Sequence, residues 1–226
     1  MTTRRGPTMT SKPDSGRLPP ADCPRCPRLA AFLADQRRAH PDWFNAPVPP
    51  FGADDARLMI VGLAPGLRGA NRTGRPFTGD HAGAMLYGAL IRHGFAMGEY
   101  DARPDDGVKM RDAVIINAVR CVPPQNKPTP AEIRACNEFL TGEFAARPRV
   151  RAVLALGRIA HDAVLMAHSL VRARHRFGHG ASHDLPGGRR LFDSYHCSRY
   201  NTQTGRLTED MFDAVLADIR AFLDTT

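Results

Sequence analysis

The sequence lacks long apolar runs and has few cysteines, and each of these features excludes a class of protein. No apolar run approaches the roughly 18 residues that a bilayer-spanning helix needs. No apolar stretch follows the basic start of the chain, as it would in a secretory signal. The cysteine count is five, and an odd number without such a signal argues against a disulfide framework. We therefore expect a cytoplasmic protein without membrane contact, whose cysteines bind metal or take part in catalysis.

Positive charge is present in excess. The chain has 31 Lys and Arg against 23 Asp and Glu, which gives a net charge of +8. A basic surface suits a polyanion such as DNA, because binding releases counterions from the phosphates. Solvated arginines spread over every face would give the same count. Charge alone therefore allows a nucleic-acid partner without requiring one.

The order of apolar and polar segments predicts one α/β domain. Residues 1–20 are rich in Thr, Ser, Pro, Gly and Arg and are expected to form a disordered N-terminal arm, with residues 21–226 as the folded domain. There, strands alternate with helices, which predicts a three-layer α/β/α sandwich with a central, mostly parallel four-stranded sheet. The expected strands are 57–62, 113–119, 150–156 and 190–195, and the expected helices are 28–38, 83–95, 158–173, 209–223 and one that Thr129 caps.

Polar residues lie at the ends of three of the expected strands or directly after them. These are residues 64–80, Asn117 and residues 196–206. In a parallel sheet, ligands bind in the crevice beyond the carboxyl ends of the strands. The placement predicts an active site before any family is considered.

The loop after the first strand, residues 62–80, holds five glycines and two prolines. It has neither the Gly-Lys-Ser/Thr sequence of a Walker loop nor the dinucleotide-binding spacing, so both kinds of phosphate loop are disfavoured. The loop also contains Arg72, Arg75, Phe77 and Asp80, which suit a pocket that binds a flat group beside a phosphate chain. On their own, Phe77 is explained equally well by core packing and Asp80 by capping of the next helix.

This loop resembles the first motif of the type-5 uracil-DNA glycosylases, which reads GLAPG, then NRTGR and FTGD. Residues 62–66 and 71–80 match it almost letter for letter, and the resemblance covers about residues 23–223. It implies a DNA-repair enzyme that flips out and hydrolytically removes uracil, leaving an abasic site. It also implies activity on other deaminated bases such as hypoxanthine. The expected partner is DNA containing these bases, and the expected state is a nucleoid-associated monomer.

The resemblance also assigns roles to residues of this loop. Phe77 would stack on the extruded base, and Asp80 would orient water or stabilise the sugar cation. Other members of the superfamily place Asp or Glu where this chain has Leu63 and Ala64, and the type-5 enzymes share the apolar residues. The residues expected to contact base or DNA are Gly62, Leu63, Ala64, Pro65, Gly66, Phe77, Asn117, Ser198 and Arg199.

Asn117 interrupts an apolar strand, where a buried amide must find hydrogen bonds. It bonds either a neighbouring loop or a ligand. Because an amide both donates and accepts, it can read the imide edge of uracil. The resemblance favours that role.

Residues 194–208 resemble the last motif of the family, His-Pro-Ser-Arg followed by Asn-Thr-Gln-Thr-Gly-Arg-Leu. Cys197 replaces the proline, and Tyr200 stands where Gln is common. The resemblance makes His196 the group that stabilises charge on uracil O2, and it makes Arg199 and its neighbours fill the space left in the duplex. A nucleophilic role for Cys197 is disfavoured, since a glycosidic bond that ionises easily needs no thiol.

The other four cysteines form two pairs, Cys23 with Cys26 and Cys121 with Cys136. Such pairs bind zinc or an iron–sulfur cluster, or are redox-active, and spacing alone slightly favours zinc. The resemblance to type-4 and type-5 enzymes implies instead a structural [4Fe–4S] cluster bound by all four. Of the remaining histidines, His161 and His183 are expected to be structural or surface residues.

Two other functions stay open. One is a non-catalytic or covalent uracil-DNA binding protein, although the long basic insert of such a relative is not seen after Gly66. The other is a zinc-stabilised nucleic-acid-binding module without activity. Zinc without iron, together with no base release, would favour the second.

Overall fold

A computed structural model describes residues 17–225. Most of the expected N-terminal arm, residues 1–16, lies outside the described residues. At residue 17 the chain already contacts the domain, because Arg17 Nε lies 3.7 Å from the buried carboxylate of Glu143.

Fifteen helices and strands make up the described part of the chain. In chain order they are α1 (Pro27–Ala39), β1 (Phe51–Gly52), β2 (Leu58–Gly62), α2 (Ala70–Thr73), α3 (His81–Arg92), β3 (Ala96–Met97), β4 (Lys109–Met110), β5 (Ala113–Asn117), α4 (Pro130–Ala146), β6 (Ala152–Leu156), α5 (Arg158–Ala167), β7 (Ser182–Leu185), β8 (Arg189–Ser194), α6 (Arg199–Gln203) and α7 (Glu209–Asp224).

The central sheet has the strand order β1-β5-β2-β6-β8-β7. Its four inner strands are parallel to one another and correspond to the four that the sequence predicts. The expected total of four strands is wrong, because β1 and β7 add antiparallel edges. β1 has only two residues and β7 is largely polar, so neither carries the apolar pattern by which a strand is recognised. A separate pair, β3 and β4, lies outside this sheet.

Helices cover both faces of the sheet and confirm the three-layer α/β/α architecture. Apolar side chains of α3 and α7 pack on one face, and those of α4 and α5 pack on the other. Every residue of β2, β5 and β6 is buried, as expected for strands covered on both sides. No helix of the described residues is both long enough and apolar enough to cross a membrane.

Two helix boundaries depend on local chemistry. Thr129 caps α4 as predicted, and its hydroxyl and the Glu132 carboxylate form a reciprocal capping box. The helix expected over 158–173 ends at Ala167. Shortly afterwards, Ser169 adopts φ 55°, which an α-helix does not allow.

Candidate active site

A cavity of about 440 Å³ lies where the sequence predicts a site, next to the residues that follow β2, β5 and β8. Its volume is in the range of cavities that bind small molecules. Its lining consists of Leu63, Ala64, Gly66, Ala70, Phe77, Asp80, His81, Ala82, Asn117, Asn126, His196, Ser198 and Arg199. The fold thus brings together every expected site residue of the two motifs and of β5 except Gly62 and Pro65.

Gly62 lies directly behind the cavity wall. It ends β2 opposite Asn117 in the parallel pairing. A Cβ atom added at Gly62 would lie 2.5 Å from Asn117 Oδ1 and 2.7 Å from the Phe77 ring. Glycine therefore provides the space in which these two side chains are positioned.

Phe77 is held in an unusual conformation. Its φ of 53° lies in the left-handed region, which residues with a side chain rarely adopt. The Tyr100 hydroxyl donates a hydrogen bond to the Phe77 carbonyl at 2.9 Å, and the Tyr87 hydroxyl donates to the carbonyl of Pro76 at 2.7 Å. These bonds position the ring in the cavity wall. Sequence reasoning assigned no role to either tyrosine.

A buried ion pair supports the same loop. Arg75 donates to both carboxylate oxygens of Asp106, at 2.7 and 2.6 Å, and its Nε donates to Thr78 Oγ1 at 2.6 Å. The hydrogen bonds from Arg75 hold the pKa of Asp106 well below its usual range. No local pattern links two residues 31 positions apart, so this pair was missed from the sequence.

Asn117 presents an unengaged amide to the cavity. Its side chain is buried, and none of the described residues hydrogen-bonds to it. The alternative that Asn117 bonds to a neighbouring loop therefore has no support within residues 17–225, because no residue there is its hydrogen-bond partner. A buried amide without a protein partner is suited to a ligand that both donates and accepts.

His196 follows β8 and faces the same cavity. Burial lowers the pKa of His196 to about 4, so its imidazole is neutral at neutral pH. A neutral imidazole keeps one N–H donor. Asn201 Nδ2 donates to the His196 carbonyl at 2.8 Å and so positions this part of the chain. Asn201 belongs to the last motif, but its spacing alone does not reveal this contact.

Asp80 occupies the N-cap position of α3, yet its side chain forms no cap hydrogen bond. Its Oδ1 is buried and has no partner in the described structure, and Gly66 and Gly69 pack closely against Oδ2. Burial raises the pKa of Asp80, and the backbone amides of Ala82 and Gly83 partly oppose this effect. These amides belong to the first turn of α3, so part of the carboxylate interacts with the start of the helix, whereas its unpartnered Oδ1 is available to water or to a cation.

Cys197 is unsuited to nucleophilic attack. Its side chain is fully buried, and burial, with a smaller contribution from Asp80, raises the pKa of its thiol to about 12. The thiolate is the reactive form of cysteine. The geometry agrees with the expectation that Cys197 has no covalent role.

Exposed side chains lie at the rim of the cavity. Arg199 and Tyr200 begin α6, and the Tyr200 side chain is 69% exposed. The Ser198 hydroxyl accepts a hydrogen bond from the backbone N–H of Asn201 and so caps this helix. His81, which the sequence analysis did not single out, lies 2.9 Å from Thr202 Oγ1 through its Nε2 and joins the two motif segments.

The two cysteine pairs meet in one place. Cys23, Cys26, Cys121 and Cys136 surround a small apolar cluster with Leu29, Val119 and Phe139. Burial, followed by the charges of neighbouring thiols, raises the pKa of Cys26 to about 11 and that of Cys121 to about 12. Thiols of this kind become thiolates when a metal binds them. The donor set therefore fits a metal or cluster site whose residues do not line the cavity described above.

Comparison with known proteins agrees with this geometry. Residues 49–220 match the uracil DNA glycosylase superfamily. The chain is 48% identical over 204 residues to a type-5 uracil-DNA glycosylase of Thermus thermophilus, which spans 88% of this chain and 92% of that protein. It is 41% identical over 199 residues to a type-5 uracil-DNA glycosylase of Pyrobaculum aerophilum, with 86% of each chain covered. A type-4 uracil-DNA glycosylase of Thermotoga maritima is 33% identical over 146 residues, or 64% of this chain and 66% of that protein.

Proposed function

Because the chain belongs to the uracil DNA glycosylase superfamily, we propose that its cavity receives a uracil flipped out of DNA and that the enzyme hydrolyses the N-glycosidic bond. One observation carries the proposal. A flat ring, an unengaged amide, a neutral imidazole and an unengaged carboxylate oxygen line a single cavity. These groups belong to Phe77, Asn117, His196 and Asp80.

Bond cleavage produces two charged fragments, and different residues stabilise each of them. When the bond between C1′ and uracil N1 breaks, its electron pair leaves with the base and positive charge develops on the sugar. The neutral imidazole of His196 donates a hydrogen bond to uracil O2 and stabilises the negative charge. Asp80 stabilises the cation or orients the water that adds to C1′, and the proton that this water loses is balanced by protonation of the departing uracil anion. The products are free uracil and an abasic site.

Recognition of the base depends on Asn117 and Phe77. The amide of Asn117 pairs with the N3–H donor and O4 acceptor of uracil, while the ring of Phe77 stacks on the base. Hypoxanthine presents the same donor and acceptor pair through N1–H and O6. The apolar side chains of Leu63 and Ala64 place no charged group in the wall. We therefore expect release of hypoxanthine as well as uracil, and strict specificity for uracil would contradict this reading.

The cysteine site would hold a structural [4Fe–4S] cluster, which ties the segment before α1 to the segments around α4. Cys23, Cys26 and Cys136 each raise the pKa of at least one other thiol of the four, which supports a common site. Among the described residues, the four cysteines are not a group whose ligand atoms converge closely enough to hold a single metal ion. A tetrahedral zinc ion with bonds of about 2.3 Å needs sulfurs about 3.8 Å apart. A four-iron cluster, in which each cysteine binds a different iron, accepts the wider spacing.

Base release from a uracil-containing duplex tests the proposal. Protein purified without oxygen is mixed with the duplex, free uracil is measured, and the visible spectrum and iron content are recorded. Release of uracil by a brown, iron-containing protein is expected. A protein–DNA adduct that survives a denaturing gel would favour the covalent binder instead. A colourless, zinc-containing protein without base release would favour the binding module.

Substitution separates the cluster from the catalytic site. Cys136→Ala should remove iron and the brown colour, whereas Cys197→Ala, the matched control, should retain both. Equal iron content in the two variants would contradict the assignment of the four cysteines. We also propose that the protein is active as a monomer.

A further inference from the structure

A second group of metal-ligating side chains lies beside β8, the strand that leads into the active site. His161 of α5, His183 of β7 and Asp193 of β8 each offer a ligand atom, and these atoms lie within 4.8 Å of one another. Asp193 and His161 are buried, and the side chain of His183 is 15% exposed. No cysteine takes part, so this group is separate from the cysteine site.

Hydrogen bonding determines which nitrogen of His161 carries the proton. Its Nε2 lies 2.9 Å from the carbonyl oxygen of His175, which can only accept, so Nε2 is the donor. In a neutral ring, Nδ1 then carries a lone pair. This Nδ1 lies 2.8 Å from Asp193 Oδ1, which is also an acceptor. A positive species, either a proton or a metal ion, must therefore lie between them.

A proton on His161 would leave His183 without a partner in this arrangement. His183 Nε2 lies 3.5 Å from Asp193 Oδ2, is buried, and makes no hydrogen bond within the described structure. Oδ2 itself accepts a hydrogen bond from the Gly178 amide at 3.4 Å. A cation bound by both imidazoles and the carboxylate satisfies all three side chains together.

We propose that His161 Nδ1, His183 Nε2 and the Asp193 carboxylate bind a divalent transition-metal ion of the zinc class. Two imidazoles and one carboxylate form an established three-residue ligand set for zinc, which leaves a fourth position for water. In a tetrahedral site with bonds of about 2.1 Å, ligand atoms are about 3.4 Å apart. The observed separations of 2.8 and 3.5 Å are close to that value, and the two imidazole nitrogens lie within 4.8 Å of each other. The bond from His161 to the carbonyl of His175 is the outer-shell contact that orients a metal-bound histidine.

The ion would link the edge strand β7 and helix α5 to β8, the strand that precedes His196. Asp193 stands three residues before His196, and its carbonyl accepts a hydrogen bond from the Gly180 amide at 2.9 Å. Phe177 and Gly178 line a smaller cavity together with His196. The site thus joins α5, β7 and the segment between them to the strand that carries His196. This inference does not depend on the proposed catalytic roles.

Zinc and cobalt titrations of the intact, cluster-containing protein test the site. Wild type should bind one Zn²⁺ per chain by calorimetry, with the visible spectrum and iron content unchanged. Bound Co²⁺ should give the absorption of a nitrogen and oxygen site without a thiolate charge-transfer band. His183→Gln should weaken binding at least 100-fold, whereas the control His179→Gln should bind as wild type does. Uptake that persists in His183→Gln, or that carries a thiolate band, would overturn the proposal.

A measurement on wild type alone guards against a variant that fails to fold. In protein with ¹⁵N-labelled histidine, Zn²⁺ should shift the resonances of His161 Nδ1 and His183 Nε2 together. A spectrum in which these two nitrogens do not respond to Zn²⁺ would overturn the site, because the ion would not be bound by these ligands.

Discussion

The rings of Phe77 and His196 face the same cavity with their centroids 5.8 Å apart and their planes inclined by 30°. A base sandwiched between two rings needs about 7 Å, which is twice the contact distance of about 3.5 Å between carbon atoms. The observed spacing is too small for that arrangement. We therefore expect the base to stack on Phe77 and His196 to approach one of its edges, as the role proposed for His196 at uracil O2 requires.

Loss of the stacking ring should weaken recognition of the base. Stacking of a base on an aromatic side chain contributes about 1–3 kcal/mol. Phe77→Leu should accordingly lower kcat/KM for uracil release by about 10- to 100-fold, since about 1.4 kcal/mol corresponds to a factor of ten. Urea unfolding of the same variant controls for stability. Activity equal to that of wild type in a stably folded Phe77→Leu protein would show that the base does not stack there.

Gly62→Ala should close the base-binding part of the cavity. The added methyl group would meet the Asn117 amide and the Phe77 ring, so both must move. Uracil release should fall sharply while binding of undamaged duplex, measured by fluorescence anisotropy, stays close to wild type. Gly88→Ala is the matched control, because Gly88 lies in α3 and a methyl group there meets only Arg92 at an ordinary 3.4 Å. Equal activity in the two variants would refute the role of Gly62.

The pH dependence should lack a histidine step near neutrality. Because the pKa of His196 is about 4, its imidazole stays neutral as the pH falls from 7 to about 5. The single-turnover rate of uracil release, plotted against pH, should therefore show no titration midpoint near 6.5 that belongs to His196. A midpoint that belongs to His196 would be present in wild type and absent from His196→Asn. Such a midpoint would mean that His196 acts as an imidazolium.

The same pKa has a consequence for stability. Between pH 6.5 and 4, the unfolded chain binds a proton at His196 that the folded protein does not bind. The contribution of His196 to the free energy of unfolding should therefore decline as the pH falls through this window. Urea unfolding of wild type and His196→Asn at several pH values isolates that difference.

Asp106→Asn should destabilise the loop that carries Phe77. Removing one charge from a buried ion pair costs about 3–5 kcal/mol because the other charge is left uncompensated. Arg75 and Asp106 have almost fully buried side chains. Asp101→Asn is the control, since Asp101 pairs with Arg103 in an exposed ion pair and should change stability by less than about 1 kcal/mol. Equal unfolding free energies for the two variants would refute the supporting role of Arg75.

The sequence predicts the inner sheet well because β2, β5 and β6 are continuous apolar runs buried on both faces. It does not predict β7, whose Ser182–Leu185 sequence is mostly polar and pairs only at the sheet edge. From the sequence, His183 is accordingly expected to be only a structural or surface residue. Its convergence with His161 and Asp193 depends on pairing that no local pattern records.

The residues of the candidate active site likewise differ in how far the sequence predicts them. Asp80, Asn117 and His196 could be predicted, because each directly follows a strand or belongs to a contiguous motif. The contacts that position the residues of the cavity could not be predicted. For example, the Tyr100 hydroxyl bonds to the Phe77 carbonyl, which is 23 residues away in the chain. Which side of Asp80 remains unpartnered is likewise determined by packing, through the close approach of Gly66 and Gly69.

The central claim is that His196 acts on the departing base, and one comparison tests it directly. The single-turnover rate of uracil release and the Kd for a uracil-containing duplex are measured for wild type and His196→Ala in the same cluster-containing preparations. The rate should fall by about 100-fold or more, as for the loss of one oxyanion donor, while Kd stays close to that of wild type. Equal losses in rate and affinity would contradict the claim and would make His196 a DNA-binding residue.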